Sequence, residues 1–203
     1  MSNTDRGRKR SLEVTGGPPQ AAARSMLRAM GWTTEDLQLP QAGVAATWNR
    51  VTPCNMHLDE LALAAADELR SLQVLPLVFH TISVSDGIAM GTDGMRASLP
   101  SRDWIADSVE LVMLAERMDG LFAIAGCDKT LPGMMMAMIR LDLPSVFAYG
   151  GSIRPGCFRG KDVTIQDVYE AIGAHATGKM SLEDLTELEC VALPGKGSCA
   201  SMY

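Results

Sequence analysis

Four apolar runs of strand length, set apart by segments long enough for helices, constrain this chain more than any other feature. They are "AGVAATW" (42–48), "VLPLVFHTI" (74–82), "GLFAIAG" (120–126) and "PSVFAYG" (144–150). Each is continuous rather than alternating, which suits strands buried on both faces of a parallel sheet. The intervening segments carry helical spacing. Residues 57–72 place Leu58, Leu61, Ala65 and Leu69 three and four apart. In "SRDWIADSVELVMLAERMDG", Ser101 reads as an N-cap, Trp104, Ile105, Val109, Val112 and Met113 as one face, and Gly120 as the stop. Thr164 with Asp167, and Ser181 with Asp184, each read as a capping box opening a further helix. Strand and helix taking turns predict an α/β three-layer sandwich around a mainly parallel central sheet.

Length and charge narrow the function. A chain of 203 residues can bury one substantial core. With 24 acidic against 18 basic residues the net charge is −6, which gives no attraction to nucleic acid or a membrane surface. The only basic cluster, Arg6 to Arg10, falls in residues 1–10, which read as a disordered arm. There is no apolar stretch of about 18 residues to span a bilayer and no secretory leader pattern at the N-terminus, so the expectation is a cytoplasmic protein. Five scattered cysteines in such a chain read as buried thiols or metal ligands rather than as a disulfide framework.

In open α/β sheets, ligands bind beyond the carboxyl ends of the strands. The segments following the first three runs are "NRVTPCN", "ISVSDGIAMGTDGM" and "GCDKTLPG", so parallel neighbouring strands would bring Cys54, Asp86, Cys127, Asp128 and Lys129 to one edge. Cys199 arrives in "PGKGSCASMY", a glycine-rich setting that permits close backbone approach to a cofactor. Thiolates are soft ligands for iron–sulfur clusters, zinc or copper(I), and carboxylates are hard ligands for magnesium, calcium or manganese. The set could therefore hold both kinds side by side, and three cysteines would leave one cluster iron open. The bland readings are core thiols, a turn residue at Asp86, and a surface ion pair at Lys129. Met134 to Met136 read as core filling, and His57, His80 and His175 as packed or hydrogen-bonded histidines.

Taken together, "TWNRVTPCNMHLDELA", "TISVSDGIAMGTDGMRASLPSRDWIADSVE", "GCDKTLPGMMMAMIRLDLPSVFAYGGSIRPG" and "PGKGSCASMY" resemble the N-terminal domain of the dihydroxy-acid and phosphogluconate dehydratase family. The resemblance covers residues 11–203. "CNMHL" and "SRDWIADSVE" are closest to the dihydroxy-acid dehydratases of branched-chain amino-acid synthesis, with sugar-acid dehydratases as near relatives.

The resemblance implies that Cys54, Cys127 and Cys199 ligate an iron–sulfur cluster, 2Fe–2S in preference to 4Fe–4S. It also implies that Asp86, Asp128 and a carbamylated Lys129 bind magnesium. Cys157 and Cys190 match no family ligand and read as structural thiols. The implied reaction removes water from a 2,3-dihydroxy acid to give a 2-keto acid, in a protein that forms homodimers. Family members are more than twice as long, and their C-terminal β-rich domain carries the C2 base, a further magnesium carboxylate and much of the pocket. That domain is absent from these 203 residues, and Ala200 and Ser201 stand where the family usually has glycine. Three readings stay open: a dehydratase segment that needs its C-terminal domain, from a longer product or a separate chain; a non-catalytic remnant or metal-binding or interaction module; and a structural zinc site on the same thiolates.

Overall fold

The computed structural model describes residues 10–199, so the N-terminal arm through residue 9 and the positions of Ala200 and Ser201 lie outside the described residues. Four parallel strands form the sheet: β1 (Gln41–Ala46), β2 (Leu75–His80), β3 (Gly120–Ala125) and β4 (Ser145–Tyr149), in the order β2-β1-β3-β4. All four match the apolar runs. β1 pairs on both sides, Ala46 lying opposite His80 and Ile124, and is buried along its whole length.

Helices cover both faces, because side chains alternate across a strand. On one face Val44, Ala46 and Ile124 pack against Leu58 and Ala62 of α3 (Leu58–Ser71). On the other, Ala45 and Ala123 pack against Ile105, Val109 and Met113 of α5 (Ser98–Ala115) and against Met134 and Ala137 of α6 (Thr130–Leu141). Each of these larger aliphatic side chains contributes about 1.5–3 kcal/mol by leaving water. Gly133 lets α5 and α6 close up, since a Cβ there would lie 2.9 Å from two Ile105 carbons. Before the sheet, α1 (Leu12–Thr15) and α2 (Ala21–Ala29) lead the chain in, and the short α4 (Asp86–Ala89) follows β2.

Four sequence readings of the helices shift. α5 begins at Ser98 rather than at a Ser101 cap, because Pro100 is tolerated in a first turn; Ser101 is internal and donates its hydroxyl to the Ser98 carbonyl at 2.6 Å. Trp104 is 66% exposed, leaving Ile105, Val109 and Met113 as the core face. Gly120 opens β3 instead of ending the helix, and Arg117 takes the left-handed turn at φ 55°. In α3 the buried stripe is Leu58, Ala62 and Ala66, and Leu61 is exposed.

A smaller unit follows β4. β5 (Gly156–Phe158) and β6 (Lys161–Val163) form an antiparallel hairpin whose turn residues, Arg159 and Gly160, both have positive φ, as a two-residue turn of this hand requires. α7 (Ile165–Ala176) and α8 (Leu182–Val191) complete it around Val163, Ala171, Leu188 and Ala192. The Thr164–Asp167 capping box forms in full, whereas at Ser181 only the serine half forms, and Asp184 pairs with Arg159 instead.

Cys157 and Cys190 are exposed, contrary to the buried reading. Cys157 sits between Gly156 and Phe158, which face inward on β5, and Cys190 lies on the side of α8 away from the buried Leu188.

Candidate active site at the carboxyl edge of the sheet

β1, β2 and β3 end at the same edge, and the segments after them carry the reactive side chains. The loop after β1 bears Cys54, α4 opens with Asp86, and the turn from β3 into α6 bears Cys127, Asp128 and Lys129. The chain returns to this edge near its C-terminal end. Gly197 donates its N–H to Pro53 O at 3.0 Å and Ser198 donates to Gly151 O at 2.8 Å, which delivers Cys199. Gly197 sits at φ 131°, and a Cβ there would lie 2.7 Å from the Ile153 nitrogen. The close approach that this glycine permits is to the backbone at Ser152–Ile153.

The three thiols meet. Cys54 and Cys127 are 3% and 4% exposed, and Cys54 hydrogen-bonds both Cys127 and Cys199. The Cys127 sulfur beside it pushes the Cys54 thiol up, and the contact with Cys54 holds the Cys127 thiol down. Cys127 also stands at the amino end of α6, with its carbonyl accepting the Thr130 and Leu131 N–H groups at 3.0 and 3.1 Å. A helix amino terminus favours a thiolate. The two loops pack main chain to main chain: a Cβ on Gly126 would lie 2.3 Å from the Cys54 carbonyl oxygen.

The carboxylates form a second group beside the thiols. Lys129 Nζ donates to Asp86 Oδ2 at 2.6 Å and to Asp128 Oδ2, and all three side chains are less than a fifth exposed. Asp86 is held from its other oxygen by the Ser98 hydroxyl at 2.6 Å. This is a buried cluster rather than the surface ion pair of the bland reading, and two carboxylates against one ammonium leave it one negative charge in excess. Burial makes such an excess costly and creates an affinity for a further cation.

Asp86, Cys127, Asp128, Lys129 and Cys199 line one cavity of about 150 Å³, walled on the remaining side by Met90, Met95 and Tyr169 of α7. Among the described residues no three His, Cys, Asp or Glu side chains form a group that could hold one metal ion. The donor chemistry nevertheless suits two different groups, with soft sulfur on one side and hard oxygen on the other. In the loop after Cys54, Asn55 Nδ2 and His57 Nδ1 are buried with no hydrogen-bond partner.

The histidines divide as packed residues. His57 Nε2 donates to the Gly150 carbonyl at 2.6 Å, His80 packs at a tilt against Trp48 with ring centroids 5.2 Å apart, and His175 Nδ1 donates to the Met180 carbonyl at 3.0 Å. Met134 is core, as read, while Met135 is exposed.

Several members of the site escaped sequence reasoning. Ser98, Thr52, Thr130, Met90, Met95 and Tyr169 carried no signal beyond ordinary composition, save that Thr52 stands two residues before Cys54, where its hydroxyl accepts the Cys54 N–H.

The dihydroxy-acid/6-phosphogluconate dehydratase N-terminal family profile matches residues 39–203. This chain belongs to that family. Among its relatives, a dihydroxy-acid dehydratase of Haloarcula marismortui is 54% identical, over 100% of this chain and 36% of the relative. One of Natronomonas pharaonis is 56% identical over 97% of this chain and 33% of its own length, and dihydroxy-acid dehydratase 2 of Bradyrhizobium diazoefficiens is 54% identical over 95% and 34%. The chain thus spans about a third of the length of these curated relatives. For the dehydratase family, the α/β fold with a parallel sheet is the part seen here.

Proposed function

We propose that this chain is the metal-binding part of a dihydroxy-acid dehydratase, a hydro-lyase that converts a 2,3-dihydroxy carboxylic acid to a 2-keto acid in valine and isoleucine synthesis. The observation that carries the reading is the carboxylate–lysine cluster lining one cavity together with Cys127 and Cys199, the two thiols that meet Cys54 behind it. Cys54, Cys127 and Cys199 would hold an iron–sulfur cluster, 2Fe–2S in preference to 4Fe–4S. Asp86, Asp128 and Lys129 would hold magnesium, with Lys129 carbamylated. An ammonium cannot ligate a cation, but its carbamate is an oxygen donor, and it would complete a set that otherwise has only two carboxylates. When bound, these groups supply Lewis acidity for loss of the C3 hydroxyl and for the charge developing on the substrate carboxylate and C2 oxygen.

The chain's own residues do the rest. Ser98 fixes the Asp86 carboxylate so that one oxygen stays turned to Lys129. The amino end of α6 favours Cys127 as thiolate, and Met90 and Met95 exclude water and give an aliphatic tail an apolar surface. In the proposed state Asp86 and Asp128 would both be taken up by magnesium, so neither would be free to take the C2 proton. Turnover would require the base supplied by the family's C-terminal domain, on a longer product or a separate chain. The protein would act in the cytoplasm as part of a homodimer; no helix among the described residues is long and apolar enough to cross a membrane.

A phosphorylated sugar acid fits less well: the cavity's one cationic side chain among the described residues is Lys129, already shared by two carboxylates. A structural zinc site fits less well, because such sites are closed by four ligands and the thiols here number three. Anaerobic expression with iron and sulfide analysis and a visible spectrum tests the reading; the expected protein is brown. A folded, colourless protein without iron sinks it. Adding the complementary C-terminal domain and assaying keto-acid formation then separates an enzyme from a metal-binding module, since persistent inactivity with the cluster in place favours the module.

A further inference from the structure

Two buried side chains beside Cys54 hold hydrogen-bonding capacity that the proposed function leaves unused. Thr52 is 3% exposed; its Oγ1 accepts the Cys54 N–H at 3.3 Å, which leaves its own O–H to give beside the Cys54 sulfur, where Thr52 acts to lower the thiol's pKa. Asn55 is fully buried; its Oδ1 accepts the Thr47 hydroxyl at 3.0 Å, and its Nδ2 has no partner. Asn55 follows Cys54 directly, and its Oδ1 lies 3.5 Å from the position a Gly126 Cβ would take, so the amide is wedged between the loops that carry Cys54 and Cys127. A buried N–H without an acceptor costs about 1–3 kcal/mol, and native structures seldom keep one without a reason.

The neighbouring ligand is treated differently. At Cys127 the local hydroxyl is spent on the main chain: Thr130 Oγ1 accepts the Cys127 N–H at 2.9 Å and donates to the Cys127 carbonyl at 2.8 Å. Local side-chain donors therefore gather at Cys54.

We infer that Thr52 and Asn55 are positioning residues that hydrogen-bond the Cys54 thiolate and so set the reduction potential of the cluster that the proposed function places here. The inference rests on that reading. Hydrogen bonds to a ligating sulfur draw electron density from it and favour the reduced cluster, so their removal shifts the potential to more negative values.

The test is a dye-mediated redox titration, with visible spectra, of the anaerobically purified chain and of its Thr52→Val, Thr52→Ser and Asn55→Leu variants. Thr52→Val keeps the shape and removes the donor. It is expected to keep the iron and sulfide content of the parent while the potential moves negative and the sulfur-to-iron bands shift; Thr52→Ser restores both. Asn55→Leu moves the potential in the same direction and decides the matter if Thr52→Val does not fold. A loaded variant at the parent's potential overturns the inference and leaves the proposed function standing. A folded parent that takes up no iron and sulfide overturns the proposed function, and this inference with it.

Discussion

The two edges of the sheet each carry buried or half-buried aspartates, and they satisfy them in opposite ways. At the amino edge Asp119 accepts three backbone N–H groups, from Arg10 at 2.8 Å, Ser11 at 3.0 Å and Gln41 at 3.0 Å. At the carboxyl edge Asp86 and Asp128 are satisfied by side chains, Ser98 and Lys129, around a cavity. A carboxylate locked by main chain ties the segment before α1 to the start of β1 and has no freedom to do chemistry. A carboxylate held by side chains beside a cavity, in a cluster with one negative charge in excess, keeps oxygen atoms within reach of whatever enters the cavity.

This contrast can be broken by substitution. Cys127→Ser is expected to have the largest effect, abolishing the iron and sulfide content of anaerobically purified protein, with a urea midpoint of the metal-free chain close to the parent's. Asp119→Ala should do the reverse. It leaves three N–H groups without their acceptor and lowers stability by about 3 kcal/mol in urea unfolding, while the folded fraction keeps its iron.

Ser98→Ala sharpens the carboxyl-edge side. Loss of one hydrogen bond to Asp86 should cost about 1 kcal/mol and weaken magnesium retention measured by equilibrium dialysis, with iron unchanged.

Asp167 stands apart from both edges as a reference. The Thr164 backbone N–H and hydroxyl hold its carboxyl below the usual aspartate range, so its cap contribution is complete above the unfolded value of about 4 and is lost as pH falls through the lower folded value. Asp167→Ala should therefore be slightly less stable than the parent at neutral pH, with the gap closing below about pH 4 in thermal melts.

The sheet and the gathering of the site were readable because both follow from coarse rules. Uninterrupted apolar runs such as "GLFAIAG" have few alternatives to a buried parallel strand, and loops at the carboxyl ends of neighbouring parallel strands must meet. What escaped depends on finer balances. Alanines at 62 and 66 outcompete Leu61 for the face of α3 because small side chains allow the helix to approach the sheet, which no periodicity of large residues reveals. Ser98 and Thr52 are two hydroxyls among many, and only tertiary contact distinguishes them. The β5–β6 hairpin has three-residue strands, too short for a pattern, and its Arg159–Gly160 turn is visible mainly through the glycine. The ligand roles of Cys54, Cys127 and Cys199 rest on resemblance and await the iron analysis.

The main-chain contact between Gly126 and Cys54 has a kinetic consequence. Cys54 and Cys127 come together only when β1 and β3 are already side by side, a pairing that sets Ala42 opposite Gly120, far apart along the chain. Pairings of such sequence separation form slowly, because loop-closure entropy is lost before any contact rewards it. Metal delivered to the nascent chain would meet isolated thiols, whereas metal delivered after the sheet closes meets a finished nest. Metal loading under the proposed function would thus be a late event on the folding path, and its rate would report on β1–β3 docking.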